Sequence, residues 1–330
     1  MRVAAFSTKA YDREFLLRAS AGTPLEWCWF AAPLEADTAR LAEGAAAVNC
    51  FVNDRLDART LEILSGLGVR LVTLRCAGFN GVDLVAAARL HLPVVRVPEY
   101  SPHAVAEHTL GLILALNRRL PRAFNRVRDG NFSLEGLLGF DLFGRTVGVI
   151  GTGHIGRCVA EILLGFGCHV LAHDPQPDTP LMARGVRYVA IDDLLSSSDI
   201  ITLHCPLTPA THHMINQASI ARLRRGVMLI NTSRGGLIDT SAVIAALKTG
   251  HIGHLGLDVY EEEGSLFFAD HSGTIINDDV FTRLLTFPNV VITAHQAFFT
   301  VNALEAIAAQ TVRNLLHLER GEPLEAVVTA

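Results

Sequence analysis

The sequence predicts an α/β protein of two domains, the larger a doubly wound parallel sheet. Three observations predict it: a length of 330 residues, a nearly unbroken alternation of short apolar strands with helical stretches, and a glycine-rich turn between strand and helix in mid-chain. A domain commonly holds roughly 100–200 residues, so this length favours two. Alternating strands and helices make βαβ units, whose strands lie parallel with helices on their faces.

The first series of strands is read at residues 2–7, 25–30, 46–52, 69–76 and 93–98, with apolar residues at helical spacing between them over 38–43, 58–67 and 82–90. Ser101-Pro102 then starts a helix, with a capping hydroxyl followed by proline at the first position. That helix, read to residue 120, is apolar almost all round through Val105, Leu110, Leu112, Ile113, Leu114 and Leu116. Such a helix is expected to be buried, between domains or against another subunit. A second series of six strands follows at 146–150, 170–174, 200–204, 227–231, 255–259 and 290–294, enough for a complete doubly wound nucleotide domain. A long helix over 301–319 ends the chain, stopped by Gly321 and Pro323.

Half of the residues are hydrophobic and only 18% are charged, and the mean hydropathy is +0.32, so a membrane reading must be tested. A spanning helix needs roughly 20 nearly continuous apolar residues. The densest run, 109–116, is closed by Arg118 and Arg119, and the N-terminus soon meets Lys9, Asp12, Arg13 and Glu14 rather than extending as a secretory signal. A soluble, cytoplasmic chain with no membrane partner is expected. A net charge of −5 also argues against a nucleic-acid partner. The six cysteines, 28, 50, 76, 158, 168 and 205, form no C-x-x-C pair and read as reduced thiols of a reducing compartment. Fourteen histidines include no metal-binding helix pattern, so no metal is expected.

The most specific local signal is Gly151-Thr-Gly153-His154-Ile155-Gly156, which follows a strand and opens a helix. Gly151 permits the tight turn, Gly153 lets the backbone approach a pyrophosphate, and Gly156 lets helix and strand pack closely. The pyrophosphate would lie at a helix N-terminus, where free N–H groups favour negative charge. The next strand ends in Asp174, whose carboxylate can accept both ribose hydroxyls and repels a 2′-phosphate. Pro175-Gln176-Pro177 follow with no basic residue. NAD is favoured over NADP.

Three further islands follow strands of the second series: Asn231-Thr232-Ser233-Arg234-Gly-Gly, Asp258-Val-Tyr-Glu-Glu-Glu263 and His295-Gln-Ala-Phe298. In open α/β sheets ligands bind beyond the carboxyl ends of strands. A guanidinium, a carboxylate and an imidazole there suit interconversion of a 2-oxo and a 2-hydroxy acid. Guanidinium grips a carboxylate in a planar fork. Imidazole is the natural proton donor near neutral pH, and a carboxylate beside it favours the protonated ring. Spacing alone does not choose among Glu261, Glu262 and Glu263.

With these islands in hand, the chain resembles the D-2-hydroxyacid dehydrogenase family, and most closely its fermentative, D-lactate-forming branch. The resemblance also rests on Leu74-Arg-Cys-Ala-Gly-Phe-Asn80, Tyr100-Ser-Pro-His-Ala-Val-Ala-Glu-His108, Asn131-Phe-Ser-Leu-Glu-Gly136 and the stretch from Leu266 to Asp279. It implies reduction of pyruvate to D-lactate by NADH, with His295 as acid/base, Glu263 as its partner and Arg234 as anchor of the substrate carboxylate. It further implies cofactor contacts at His154, Ile155, Asp174, Cys205, Pro206, Thr211, Thr232, Ser233, Arg234 and Asp258. Substrate contacts are implied at Ala77, Gly78, Tyr100 and Phe298. Thr211 departs from the asparagine common at its position, and Asp258 is assigned the carboxamide. The family's domain order implies a flavodoxin-like substrate domain of residues 1–100 plus 299–330, into which a Rossmann NAD domain of residues 101–298 is inserted, with the site in the cleft. A homodimer or homotetramer is implied as well. The enzymatic alternative is a larger 2-oxo acid such as phenylpyruvate, and the non-enzymatic one is an NAD-sensing binding protein of the same fold.

Overall fold

Successive side chains of a strand point to opposite faces, and the strands of this chain are apolar at both parities, so their sheets must be covered on both sides. The computed structural model describes residues 1–329 and meets that demand in each of two units. One unit holds residues 1–101 with the C-terminal segment from 299; the other holds residues 102–298.

In the first unit, β1 (Arg2–Ala5), β2 (Glu26–Trp29), β3 (Ala47–Cys50), β4 (Leu71–Leu74) and β5 (Val94–Val95) form a parallel sheet of order β2-β1-β3-β4-β5. Ala4, Val48, Val72 and Val94 face one core, shared with Leu61 and Leu64 of α2 (Ala58–Gly66) and Ala86 and Ala87 of α3 (Leu84–Arg89). The alternate residues Val3, Ala47, Leu71 and Val95 face the other, with Leu315 of the C-terminal helix Val301–Arg320. Asp57 and Asp83 cap α2 and α3, and Thr300 caps the C-terminal helix, which Gly321 ends at φ +70°. Helix α1 (Ala10–Ala19) has no counterpart among the sequence expectations, because Asp12 sits among its inward apolar residues Tyr11, Phe15, Leu16 and Ala19 and weakens the periodic signal. Part of its anchor is polar. Arg75, 1% exposed, donates to Asp12 at 3.1 Å, to Asn49 Oδ1 at 3.1 Å and to the Ser7 carbonyl at 2.8 Å.

The second unit opens with α4 (Pro102–Asn117) and α5 (Leu120–Arg128). There follow β6 (Thr146–Ile150), α6 (His154–Gly165), β7 (His169–His173), α7 (Thr179–Ala183), β8 (Arg187–Tyr188), α8 (Ile191–Ser197) and β9 (Ile200–Leu203). Next come α9 (Gln217–Ile220), β10 (Val227–Asn231), α10 (Thr240–Thr249), β11 (Ile252–Leu257), α11 (Asp279–Leu285) and β12 (Val290–Ile292). The parallel order β12-β11-β10-β9-β6-β7-β8 is doubly wound, and the winding reverses between β6 and β9. Seven strands stand where six were expected. The seventh, β8, is a two-residue edge strand too short for a periodic signal.

The apolar helix is also shorter than expected, and much of its apolar surface packs within its own unit. Arg119 adopts φ +49° and breaks it from α5. Leu110, Ile113 and Leu116 of α4 share a core with Val159 and Leu163 of α6 and with Met228 and Ile230 of β10. Helix and sheet approach closely where β11 has Gly256, since a Cβ there would lie 3.1 Å from Leu116 Cδ1. No helix among the described residues is long and apolar enough to cross a membrane.

Candidate active site

The glycine turn lies where the winding reverses. Gly151 leaves β6 at φ +90°, and a Cβ there would stand 2.6 Å from the Cys205 nitrogen beyond β9. A Cβ on Gly156 would come within 1.9 Å of the Gly151 carbonyl oxygen. Gly153, by contrast, caps α6 with nothing within 4 Å of its Cβ position. The chain is thus closed behind the turn and open in front of it, at the N-terminus formed by His154 and Ile155. That geometry fits a dinucleotide's pyrophosphate. Asp174, just past β7, is tied to this turn: it accepts the Thr152 N–H at 2.7 Å and the Gln176 N–H at 2.8 Å.

The loops after β9 and β10 are joined. Ser233 donates to the Cys205 carbonyl at 2.8 Å, and Ser233 N–H donates to Asn231 Oδ1 at 3.0 Å. The buried Thr232 hydroxyl meets Thr109 of α4 at 2.9 Å. Burial pushes the Cys205 thiol up to about 11, so it stays protonated at neutral pH. Thr211 spends its hydroxyl on its own turn, donating to the Pro206 carbonyl at 2.6 Å.

Arg234, Glu263 and His295 follow β10, β11 and β12, which are neighbours in the sheet. His295 Nδ1 lies 2.7 Å from Glu263 Oε1, while Glu263 Oε2 accepts the Tyr260 N–H at 3.1 Å. An ionised carboxylate only accepts, so a bond to it puts the ring proton on Nδ1 and leaves Nε2 as the nitrogen turned away from Glu263. Arg234 is half-buried, and among the described residues no carboxylate pairs with it. An arginine so placed can hold an anion brought from outside.

Asp258 has a part that spacing did not reveal. It is 1% exposed, and its carboxylate accepts the N–H groups of Gln296 and Ala297, both at 2.9 Å, and the Thr293 hydroxyl at 2.5 Å. Its carbonyl accepts the His295 N–H at 2.7 Å. The structure therefore uses Asp258 to brace the loop that holds His295 at φ +51°. Burial pushes Asp258 up, but bonds from His108, Thr293, Ala297 and Gln296 outweigh it and hold it below its ordinary value.

Phe298 is half-buried at the end of this unit; Ala77, Gly78 and Tyr100 belong to the first unit, the former two following β4. The Ala77 carbonyl accepts Arg96 at 2.8 Å. Several participants were missed. Phe268 lays its ring 5.6 Å from that of His295, and His108 Nε2 reaches Thr293 at 3.0 Å. His213 pairs with Glu261 at 2.6 Å. No spacing rule links these residues. Among the described residues no group of histidines, cysteines and acids could hold a metal.

Residues 110–297 match the NAD binding domain of the D-isomer specific 2-hydroxyacid dehydrogenases. The D-lactate dehydrogenase of Escherichia coli is 51% identical over 322 residues, 98% of each chain. The chain belongs to this family. As a D-isomer specific 2-hydroxyacid dehydrogenase it is an NAD-dependent oxidoreductase, as the motifs implied. A 2-hydroxyacid dehydrogenase homolog of Zymomonas mobilis is 50% identical over 98% of each chain. Among solved structures, the apo D-lactate dehydrogenase of Escherichia coli superposes over 100% of both chains with a TM-score of 0.91 and 48% identity. The pyruvate reductase of Chlamydomonas reinhardtii does so over 98% of both chains with a TM-score of 0.93 and 47% identity.

Proposed function

We propose that this chain reduces pyruvate to D-lactate with NADH. The observation that carries the proposal is the 2.7 Å His295–Glu263 pair, set on the same row of strand ends as Arg234, with which no carboxylate among the described residues pairs. Arg234 grips the substrate carboxylate in its planar fork. His295 donates the Nε2 proton to the ketone oxygen, and Glu263 holds the ring by Nδ1 and stabilises its protonated form. The nicotinamide, when bound, supplies the hydride. The D product and the three-carbon substrate are supported by the names of the Escherichia coli and Chlamydomonas reinhardtii proteins. A larger 2-oxo acid is supported by likeness to a D-2-hydroxyisocaproate dehydrogenase, at 30% identity with a TM-score of 0.87.

The test follows NADH oxidation at 340 nm with pyruvate, phenylpyruvate and a branched-chain 2-oxo acid, with enantiospecific assay of the product. Fast turnover of pyruvate to D-lactate is expected. Preference for a larger acid would keep the roles of His295 and Arg234 but overturn pyruvate as substrate. NADH binding without turnover of any acid would overturn the reaction.

The proposal includes a homo-oligomer and a reducing compartment. None of the six cysteines forms a disulfide, which suits the latter. For the former, α5 buries no residue and exposes Leu120, Phe124 and Val127 along one side. The following loop adds Phe132, Leu134 and Leu138, each at least 75% exposed. An apolar surface of this kind suits a second copy of the chain.

A further inference from the structure

The reaction proposed above uses one His–Glu pair, and another lies in the same unit. The other joins His213 Nε2 to Glu261 Oε1 at 2.6 Å, with Glu261 only two residues before Glu263. Both histidines are left-handed, His213 at φ +49° and His295 at φ +51°. A non-glycine residue holds that conformation only where its surroundings over-determine it, and such residues cluster at functional sites.

The surroundings of His213 do so. Its N–H donates to the Gly236 carbonyl at 2.8 Å, and its own carbonyl accepts Asn216 Nδ2 at 2.8 Å. Glu261 is held from its other side, where Oε2 accepts the Thr240 N–H at 3.0 Å and the Thr240 hydroxyl. Between the two partners runs Arg234-Gly235-Gly236. Gly235 is pressed against the loop after β11, since a Cβ there would lie 2.4 Å from the Glu261 nitrogen. Gly236 is held by the loop after β9 through the His213 N–H. The backbone that carries Arg234 is therefore gripped from both sides, and the His213–Glu261 bond closes the grip.

We propose that His213 and Glu261 are positioning residues for substrate binding: their bond clamps the loops after β9 and β11 over Gly235-Gly236 and so sets the place of Arg234. The proposal rests on the reading of Arg234 as the carboxylate anchor. Neither residue touches substrate; both act through the backbone they enclose.

The test uses full-length wild type, His213→Ala, Glu261→Ala, the double variant and His213→Gln, whose amide nitrogen can still donate to Glu261. Four quantities are read: kcat, the KM for the 2-oxo acid turned over fastest, the NADH Kd, and the Kd of oxamate for the NADH-loaded enzyme. Each alanine variant is expected to raise KM and the oxamate Kd about tenfold, while the NADH Kd stays within about threefold. The double variant should be no worse than either single one, because both remove the same bond. His213→Gln should restore KM to within about threefold of wild type. Unchanged KM and oxamate Kd in folded alanine variants of an active enzyme would overturn the clamp alone. Parallel loss of NADH and oxamate binding with a lowered Tm would also overturn it, as general loosening. A wild type that neither binds oxamate nor reduces any 2-oxo acid would overturn the anchor reading and the clamp together.

Discussion

A few atoms at strand ends separate the roles of the candidate residues. Because Glu263 occupies Nδ1 of His295, only Nε2 can serve a substrate. Replacing His295 by Ala should cut kcat at least ~100-fold, the lower range for losing a general acid, with the NADH Kd unchanged by fluorescence titration. Undiminished turnover would remove His295 from the mechanism. Arg234→Ala should raise the KM for pyruvate and lower kcat; a loss of kcat/KM under about threefold would contradict an anchoring charge. The glycines divide more sharply. Gly156→Ala drives a methyl into a backbone oxygen 1.9 Å away, so Tm and NADH binding should fall together. Gly153→Ala meets nothing within 4 Å, so Tm should hold while NADH binding weakens if the pyrophosphate uses that space. Equal NADH affinity in Gly153→Ala would show that the space is not used.

At the scale of elements, the two neighbouring helices α4 and α5 reverse the usual expectation of which one seeks a partner. Helix α4 is strongly apolar, and Leu110, Ile113 and Leu116 pack into its own unit, with Gly256 admitting it close to β11. Helix α5 is short and arginine-rich, yet it turns Leu120, Phe124 and Val127 outward, at 52%, 62% and 53% exposure. These three recur at helical spacing and make one stripe. A Phe124→Glu change should therefore leave the fold intact by circular dichroism and shift the protein toward monomer in size-exclusion chromatography with light scattering. An unchanged mass would place the interface elsewhere. The break between the helices depends on Arg119 at φ +49°, which no local residue pattern announces.

For the molecule as a whole, buried ionisable groups make stability depend on pH. Burial drives His204 down to about 3, and its Nδ1 is enclosed without a hydrogen-bond partner. Its unfolded value is about 6.5. Between those limits the unfolded chain takes up a proton that the folded one refuses, so stability falls as pH drops below 6.5. The slope is at most about 1.4 kcal/mol per pH unit from this one group. Asp258 has a folded value below its ordinary one. Its stabilisation is present above the unfolded carboxylate value and is lost as pH falls through the folded value. Both groups therefore weaken the fold on acidification, in successive windows. From His204 alone, urea unfolding should show a loss of about 2 kcal/mol from pH 7 to pH 5, to which His254, also pushed down by burial, adds. A His204→Gln variant should flatten that dependence, and an unaltered slope would acquit His204.

What the sequence determined by itself is whatever rests on short-range periodicity and local backbone demands. Both parallel sheets were legible, because strands buried on two faces are apolar at both parities, and so were the glycine turn, Asp174 and the final helix with its Gly321 stop. The candidate triad was legible as three islands after three strands, although choosing Glu263 over Glu261 and Glu262 required family resemblance. Only the tertiary structure decided that Glu261 belongs to His213, that Asp258 braces the His295 loop, and that the Phe268 ring lies beside the imidazole. These are contacts between residues distant in the chain, set by the order in which the strands lie side by side. It also decided where α4 ends and which helix keeps an apolar face. A helix's own sequence states how apolar it is, but not which neighbour will cover it.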